Sequence, residues 1–170
     1  MPPPLSPTHP RPEISIRSAN VEDIGALRVL FDASINEGQV PSNDTGADID
    51  NLMEGYFEDE GASGFWVAHR DDCIVGMVGV QRVAEGQAEV RRLRVHEDHR
   101  RLGIAGALMG EALTFCQERG YLKVILDVRI ERTGAISLFE KFGFHLSRSR
   151  EFDGRKLLDF YVDLYSDTRF

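Results

Sequence analysis

The sequence predicts a single α/β domain, built on a mixed and mostly antiparallel sheet with about four flanking helices. Three observations carry this. The 170 residues are 42% apolar, which suits one domain with its own core. The periodicity of apolar residues runs strand, two helices, three strands, helix, strand, helix, two strands. Two-residue turn signals fall near both ends of that series, where they imply antiparallel hairpins. The helix between two strands in the middle implies a parallel crossover.

The elements follow in order. Residues 1–12 hold Pro2, Pro3, Pro4, Pro7, Pro10 and Pro12, so they read as a disordered or polyproline-like tail preceding a domain at 13–165. Ile14 to Arg17 alternates as a first strand. Val21 to about Ile35 places Ile24, Leu27, Leu30 and Phe31 at helical spacing, with Asn20 as N-cap and Asp23 three residues on. Pro41 to Asp48 reads as a loop and Ile49 to Phe57 as a short second helix. Phe65 to His69 is a strand, Asp71-Asp72 a turn, and Ile74 to Val83 the partner strand. Glu85-Gly86 turns the chain into a strand from Ala88 to Val95. Gly103 to Arg119 is the strongest helix, with a stripe at Ile104, Leu108, Ala112, Phe115 and Cys116 and a stop at Gly120. Val124 to Val128 is a short apolar strand. Thr133 to Phe142 is a helix carrying Ala135, Leu138, Phe139 and Phe142 on one face. The last hairpin turns at Asp153-Gly154, and Leu158 to Leu164 points Phe160, Val162 and Leu164 inward. Residues 166–170 form a C-terminal tail.

Composition excludes several classes of function. No apolar run approaches the roughly 20 residues that span a bilayer. No charged and then apolar segment opens the chain as a secretory signal would. The formal net charge of −8 disfavours nucleic acid and anionic membranes as partners. Cys73 and Cys116 are isolated thiols without metal spacing, which suits a reducing cytoplasm. The charge is uneven along the chain. From Val29 to Ala68 there is no Lys or Arg, whereas Arg91, Arg92, Arg94, Arg100 and Arg101 cluster within eleven residues.

The join between strand and helix at Leu93 to Met109 is where chemistry concentrates. A helix start presents unsatisfied N–H groups and a partial positive charge, which together favour an anion. Small residues at Gly103, Ala105 and Gly106 let an anion approach the backbone. Arg100 and Arg101 add fork-shaped cationic donors.

Glu89 to Val95, followed by Arg100-x-x-Gly103-Ile104-Ala105-x-x-Leu108, resembles the acetyl-CoA motif of the GNAT superfamily of N-acetyltransferases, [Arg/Gln]-x-x-Gly-x-[Gly/Ala]. Ala135 to Phe144 resembles that family's second signature, Ala-Ile-x-Leu-Tyr-Glu-Lys-x-Gly-Phe. The element order agrees from about Ile14 to Leu164. Phe65 to Ala68, Val75 to Gly79 and Gly103-Ile104-Ala105 are further similar to the camello-like branch, without the membrane-spanning segment some of its members carry. The resemblance implies a GNAT-like sheet with a splayed parallel pair. It also implies direct acetyl transfer from acetyl-CoA to a primary amine in a ternary complex. Leu93, Arg94 and Val95 would border the pantetheine arm, and the Val95 amide would polarise the thioester carbonyl. Arg100, Arg101, Leu102, Gly103, Ile104, Ala105, Gly106 and Ala107 would hold the pyrophosphate.

Glu89 is the candidate general base, standing where many relatives keep a glutamate. On an unbroken strand it shares a face with Arg91, Leu93 and Val95, opposite Val90, Arg92 and Arg94; a bulge would break that count. Phe139 departs from the pattern: it stands where the family often has the tyrosine that protonates the CoA thiolate, and it has no proton to give. It remains a cofactor-site position by resemblance. Tyr121 and Tyr161 are alternative donors. Arg132 stands where many relatives have asparagine. His96 and His99 read as surface residues, so no metal site is expected. The acidic run from Asp32 to Glu60 falls where the family walls its acceptor site, and an acidic wall would attract a cationic amine. The acceptor is a small-molecule or peptide amine, and the sequence allows a homodimer. A catalytically weak acyl-CoA sensor is the other reading, favoured by Phe139.

Overall fold

The computed structural model describes residues 13–165. Both tails expected from the sequence lie outside these residues. Strand β1 (Ile14–Ser18) leads into a single 3-10 turn at Val21–Asp23 and then helix α1 (Ile24–Asn36). The entry is fixed reciprocally. Asn20 Oδ1 accepts from the Glu22 amide at 2.9 Å, while Asp23 Oδ2 accepts from the Asn20 amide at 2.8 Å. The expected second helix forms as two short pieces, α2 (Ala47–Asp50) and α3 (Leu52–Tyr56), so the preceding loop ends at Gly46. Asn51 breaks them, with its side-chain amide bonded to the Ala47 carbonyl at 2.9 Å in competition with the helix. Burial of Ile49, Leu52 and Tyr56 holds both pieces to the sheet all the same.

Strands β2 (Gly64–Arg70), β3 (Cys73–Ala84) and β4 (Gln87–Val95) form an antiparallel meander. Asp71 and Asp72 both take left-handed backbone, φ +51° and +62°, as a tight two-residue turn requires. Helix α4 (Ile104–Glu118) crosses over to β5 (Lys123–Arg129), which runs parallel to β4. Helix α5 (Thr133–Lys141) precedes the hairpin β6 (His145–Phe152) and β7 (Arg155–Asp163). The seven-stranded sheet has the order β1-β2-β3-β4-β5-β7-β6.

Each face of the sheet buries its own core. Helices α4 and α5 pack on one face over Val78, Val80, Val90 and Val124. Helices α1 to α3 pack on the other over Phe65, Val67 and Met77. The buried side of α4 is wider than the expected stripe. Met109 and Leu113 are buried with Ile104, Leu108, Ala112 and Cys116, because this helix spans β1 to β4. Phe115 is half-buried and meets Trp66 edge-on, ring centroids 4.9 Å apart. Contact between α4 and β3 depends on Gly76, where a Cβ would sit 2.9 Å from Leu108 Cδ1 and 3.3 Å from the Arg94 carbonyl.

Two irregularities of β4 shape the site. Gly79 pairs with Arg91 and Met77 with Arg94, so Val78 faces both Arg92 and Leu93, a bulge at which Arg92 takes φ +60°. The parallel pairing of β4 with β5 covers only Gln87–Glu89 against Lys123–Ile125. Beyond Glu89 the two strands part.

Candidate active site

The bulge corrects the face assignment drawn from unbroken alternation. Paired residues of antiparallel strands share a face. Glu89 pairs with Gln81 and Arg91 with Gly79, on the side of α1 to α3; Arg94 pairs with Met77 on that same side. Leu93 instead joins Ala88 and Val90 in the core beneath α4, and Val95 packs against it. Leu93 and Val95 are therefore on the opposite face from Glu89 and Arg91.

Where β4 and β5 part, two cavities meet. The first, about 540 Å³, runs along the start of α4. It is lined by Val95, Arg100, Arg101, Gly103, Ile104, Ala105 and Gly106, and closed by the start of α5. The second, about 450 Å³, opens toward α1 and α2 and holds Glu89, Arg91, Asp127, Arg129 and Phe139 among its walls. Gln39, Leu93, Arg94 and Arg132 line both. Leu102 and Ala107 line neither and are solvent-exposed, so only their backbone faces the loop. Phe139 is buried in the second cavity rather than the first, packed near Phe144 and Phe160, because its side of α5 is the core side.

The α4 start leaves its first backbone amides without partners among the described residues. Arg101 and Gly103 both take left-handed backbone, φ +63° and +81°. Gly103 is the N-cap, and no side chain caps the helix. The first amide of this turn to find a backbone carbonyl is Ala107, bonded to Gly103 at 3.0 Å. Val95 pairs with Gly76, while the next amide, His96, donates to Val75 at 2.8 Å. That alternation turns the Val95 N–H away from β3 and toward the gap between β4 and β5. Its carbonyl, on the same side, accepts from Arg100 Nε at 3.2 Å. Arg100 is also held by Glu37, at 2.7 and 2.9 Å.

Glu89 sits at the crotch of the gap, 3.2 Å from Arg91 Nε. Burial raises its carboxyl above the usual carboxylate range, against the opposing charge of Arg91. Neither alternative tyrosine reaches the two cavities. Tyr121 donates to the Ala62 carbonyl, and Tyr161 lies at a tilt against His145 on the outer hairpin. Cys116 is buried on the core side of α4, with its thiol pushed up to about 12 by burial, far from the range of a nucleophile.

The acidic run does not make an acidic wall. Asp44 and Asp48 clasp Arg92 at 2.5 to 3.1 Å, Tyr56 donates to Asp48 at 2.5 Å, and Glu37 holds Arg100. Burial alone would raise Asp44 and Asp48, but the hydrogen bonds and charge of Arg92 outweigh it and hold both below the usual range. This cluster escapes a reading of the sequence because Arg92 and Asp48 are 44 residues apart and the bulge alone aims Arg92 at them. Gln39 and Arg129 were equally invisible: no local pattern marks them. Among the described residues no group of three or more His, Cys, Asp or Glu could hold a metal ion, and no helix is long and apolar enough to cross a membrane.

Comparison with known proteins matches residues 30–144 to the acetyltransferase (GNAT) family. N-acetyltransferase 8 of Homo sapiens is 36% identical over 102 residues, 57% of this chain and 44% of that protein. A probable N-acetyltransferase camello of Xenopus tropicalis is 33% identical over 103 residues, 59% of this chain and 47% of that protein. The chain thus spans less than half the length of these relatives. Among solved structures, a GNAT-family acetyltransferase of Staphylococcus aureus Mu50 superposes with TM-score 0.77 at 20% identity, covering 89% of this chain and 99% of that one. The Salmonella typhimurium protein yncA, solved with its cofactor acetyl-CoA, superposes with TM-score 0.77 at 17% identity over 89% of this chain and 94% of that one. These distant likenesses are of fold.

Proposed function

The chain belongs to the acetyltransferase (GNAT) family, and from that premise we propose that it moves an acetyl group from acetyl-CoA to a primary amine. One observation carries the reading: the uncapped, left-handed start of α4 opens into a cavity that the Val95 amide also faces. The amides from Arg101 to Gly106 hold the pyrophosphate, aided by the Arg100 and Arg101 guanidiniums; the Ala107 amide, expected to join them, is instead spent on the Gly103 carbonyl. Leu93 and Val95 border the pantetheine arm. The Val95 N–H stabilises the oxyanion that forms when the amine attacks the thioester carbonyl.

The attacking amine must lose a proton, and Glu89 is its acceptor. Val95 lies six positions along the strand from Glu89, roughly 20 Å at full extension. The proton therefore passes through water in the second cavity, which lies between them. A buried carboxylate with a raised pKa is a stronger base than an exposed one. Collapse of the tetrahedral intermediate breaks the C–S bond. Phe139 offers no proton to the thiolate, so it leaves as the anion and is protonated by solvent. A thiol of ordinary pKa, about 8.5, is a tolerable leaving group. Titration with acetyl-CoA, then mass spectrometry of products from an amine, amino-acid and peptide panel, tests the proposal. Binding without any product would favour the second reading, a weakly active acyl-CoA sensor, for which Phe139 speaks.

A further inference from the structure

The second cavity is rich in guanidiniums, and their pairing divides them. Arg92 is spent on Asp44 and Asp48, Arg91 on Gln81 and Glu89, and Arg150 on Asp127 and Asp159. Arg94, Arg129 and Arg132 have no carboxylate partner among the described residues. Arg94 Nη1 donates to the Leu93 carbonyl at 2.8 Å, and Arg129 Nη2 to the Val40 carbonyl at 3.3 Å. Arg129 is only 7% exposed, and its Nη1 is buried without a partner among the described residues. The three come from β4, the end of β5 and the residue before α5, and all line the cavity. Their charge is poorly accommodated as it stands. Burial lowers all three, and neighbouring guanidiniums add to it: Arg132 and Arg92 against Arg94, Arg155 against Arg129, Arg100 against Arg132.

Buried cations without counter-ions are costly unless a ligand completes them. We infer that the cavity takes an amine that also carries an anionic group, a carboxylate or a phosphate, which Arg94, Arg132 and Arg129 receive. This rests on the acetyltransferase reading and adds the charge class of its acceptor. It reverses the preference for a cationic amine that the acidic run suggested, since the carboxylates of that run beside the two cavities, Glu37, Asp44 and Asp48, are already paired. The position of the cations also bears on the ligand's shape. Arg94 and Arg132 line both cavities, so an anion they hold lies at the junction where amine and thioester must meet. The anionic group therefore stands close to the amine. Arg129 adds charge and an unfilled donor from the wall.

The test is a set of matched small amines offered with acetyl-CoA: amino acids against their amides, and O-phosphoethanolamine against ethanolamine. The expected result is a kcat/KM roughly ten-fold or more higher for the anionic member of at least one pair, as charged hydrogen bonds allow. The pair that responds distinguishes carboxylate from phosphate. Arg132→Met and Arg129→Met should collapse that ratio by raising KM for the anionic member, and Arg132→Lys should keep most of it. Acetyl-CoA affinity of Arg129→Met, measured by titration, should stay within about three-fold, because Arg129 does not line the donor cavity. If Arg129→Met does not fold, Arg132→Met and Arg129→Lys carry the comparison. Neutral members used as well as anionic ones would overturn the inference, and so would a ratio that survives both substitutions. Variants that lose acetyl-CoA affinity with the ratio intact would assign these arginines to the donor phosphates, again overturning it. Wild-type protein that binds acetyl-CoA but shows no charge preference fails this inference alone; protein that binds no acetyl-CoA fails the underlying reading with it.

Discussion

At the scale of single residues, Glu89 is the proposed base, and its strength comes from burial. Glu89→Gln should lower kcat/KM about a hundred-fold while leaving acetyl-CoA affinity unchanged, a split read by steady-state kinetics beside titration. In the wild type, kcat/KM should rise with pH through an ionisation above the ordinary carboxylate range, because only the carboxylate accepts the proton. The same shift has a thermodynamic sign. A carboxyl raised in the fold binds its proton more tightly there than in the unfolded chain. Its contribution is complete below the unfolded pKa and is lost as pH rises through the folded one. Glu89→Gln should therefore melt no lower than wild type at pH 7. Asp44 and Asp48 behave oppositely. Their carboxyls are held down in the fold, so the stability they lend is present above the usual carboxylate pKa of about 4 and fades below it. Removing their common partner in Arg92→Met should cost about 3 kcal/mol in urea unfolding at neutral pH. None of this network was legible in the sequence. Arg92 looked like a residue facing away from Glu89, and only the bulge, at which Arg92 itself takes left-handed backbone at φ +60°, turns it to the same side.

At the scale of elements, periodicity and turn chemistry located six of the seven strands and the two long helices within a few residues, and placed β6 only by the turn that follows it. The sequence did less well where packing decides. The single helix expected at 49–57 breaks at Asn51, and α4 buries two positions beyond its stripe because it spans four strands. The α4–β3 contact is narrow enough to test. Gly76→Val would thrust side-chain carbons into Leu108 and Ile104 and should destabilise by about 2 kcal/mol, with weaker acetyl-CoA binding as α4 is levered outward. The loop before α4 makes a second prediction. Glu37, at the end of α1, competes with phosphate for Arg100. Glu37→Gln should therefore tighten acetyl-CoA several-fold at low salt, and the gain should shrink as ionic strength rises.

At the scale of the whole molecule, the two-motif pattern and the element order anticipated the topology, including the parting of β4 from β5. Charge was the misleading feature. A chain of net charge −8 with a long acidic run encloses a cavity whose unpaired charges are arginines. Sequence position cannot reveal which carboxylates are spent on which guanidiniums, since Arg92 with Asp44 and Arg100 with Glu37 are pairings across the fold. The loop proposed to hold the donor was legible because the role depends on local backbone, a left-handed glycine and a helix start. The cavity proposed for the acceptor was not, because it is assembled from β4, β5, α5, the last hairpin and the loop after α1. The most direct test of the central claim is therefore isothermal titration of acetyl-CoA into wild-type protein and Arg100→Glu. Saturable one-to-one binding that weakens at least roughly ten-fold in the variant is the predicted result, as loss and reversal of a phosphate contact require. No saturable binding, or binding that Arg100→Glu leaves unchanged, would contradict it.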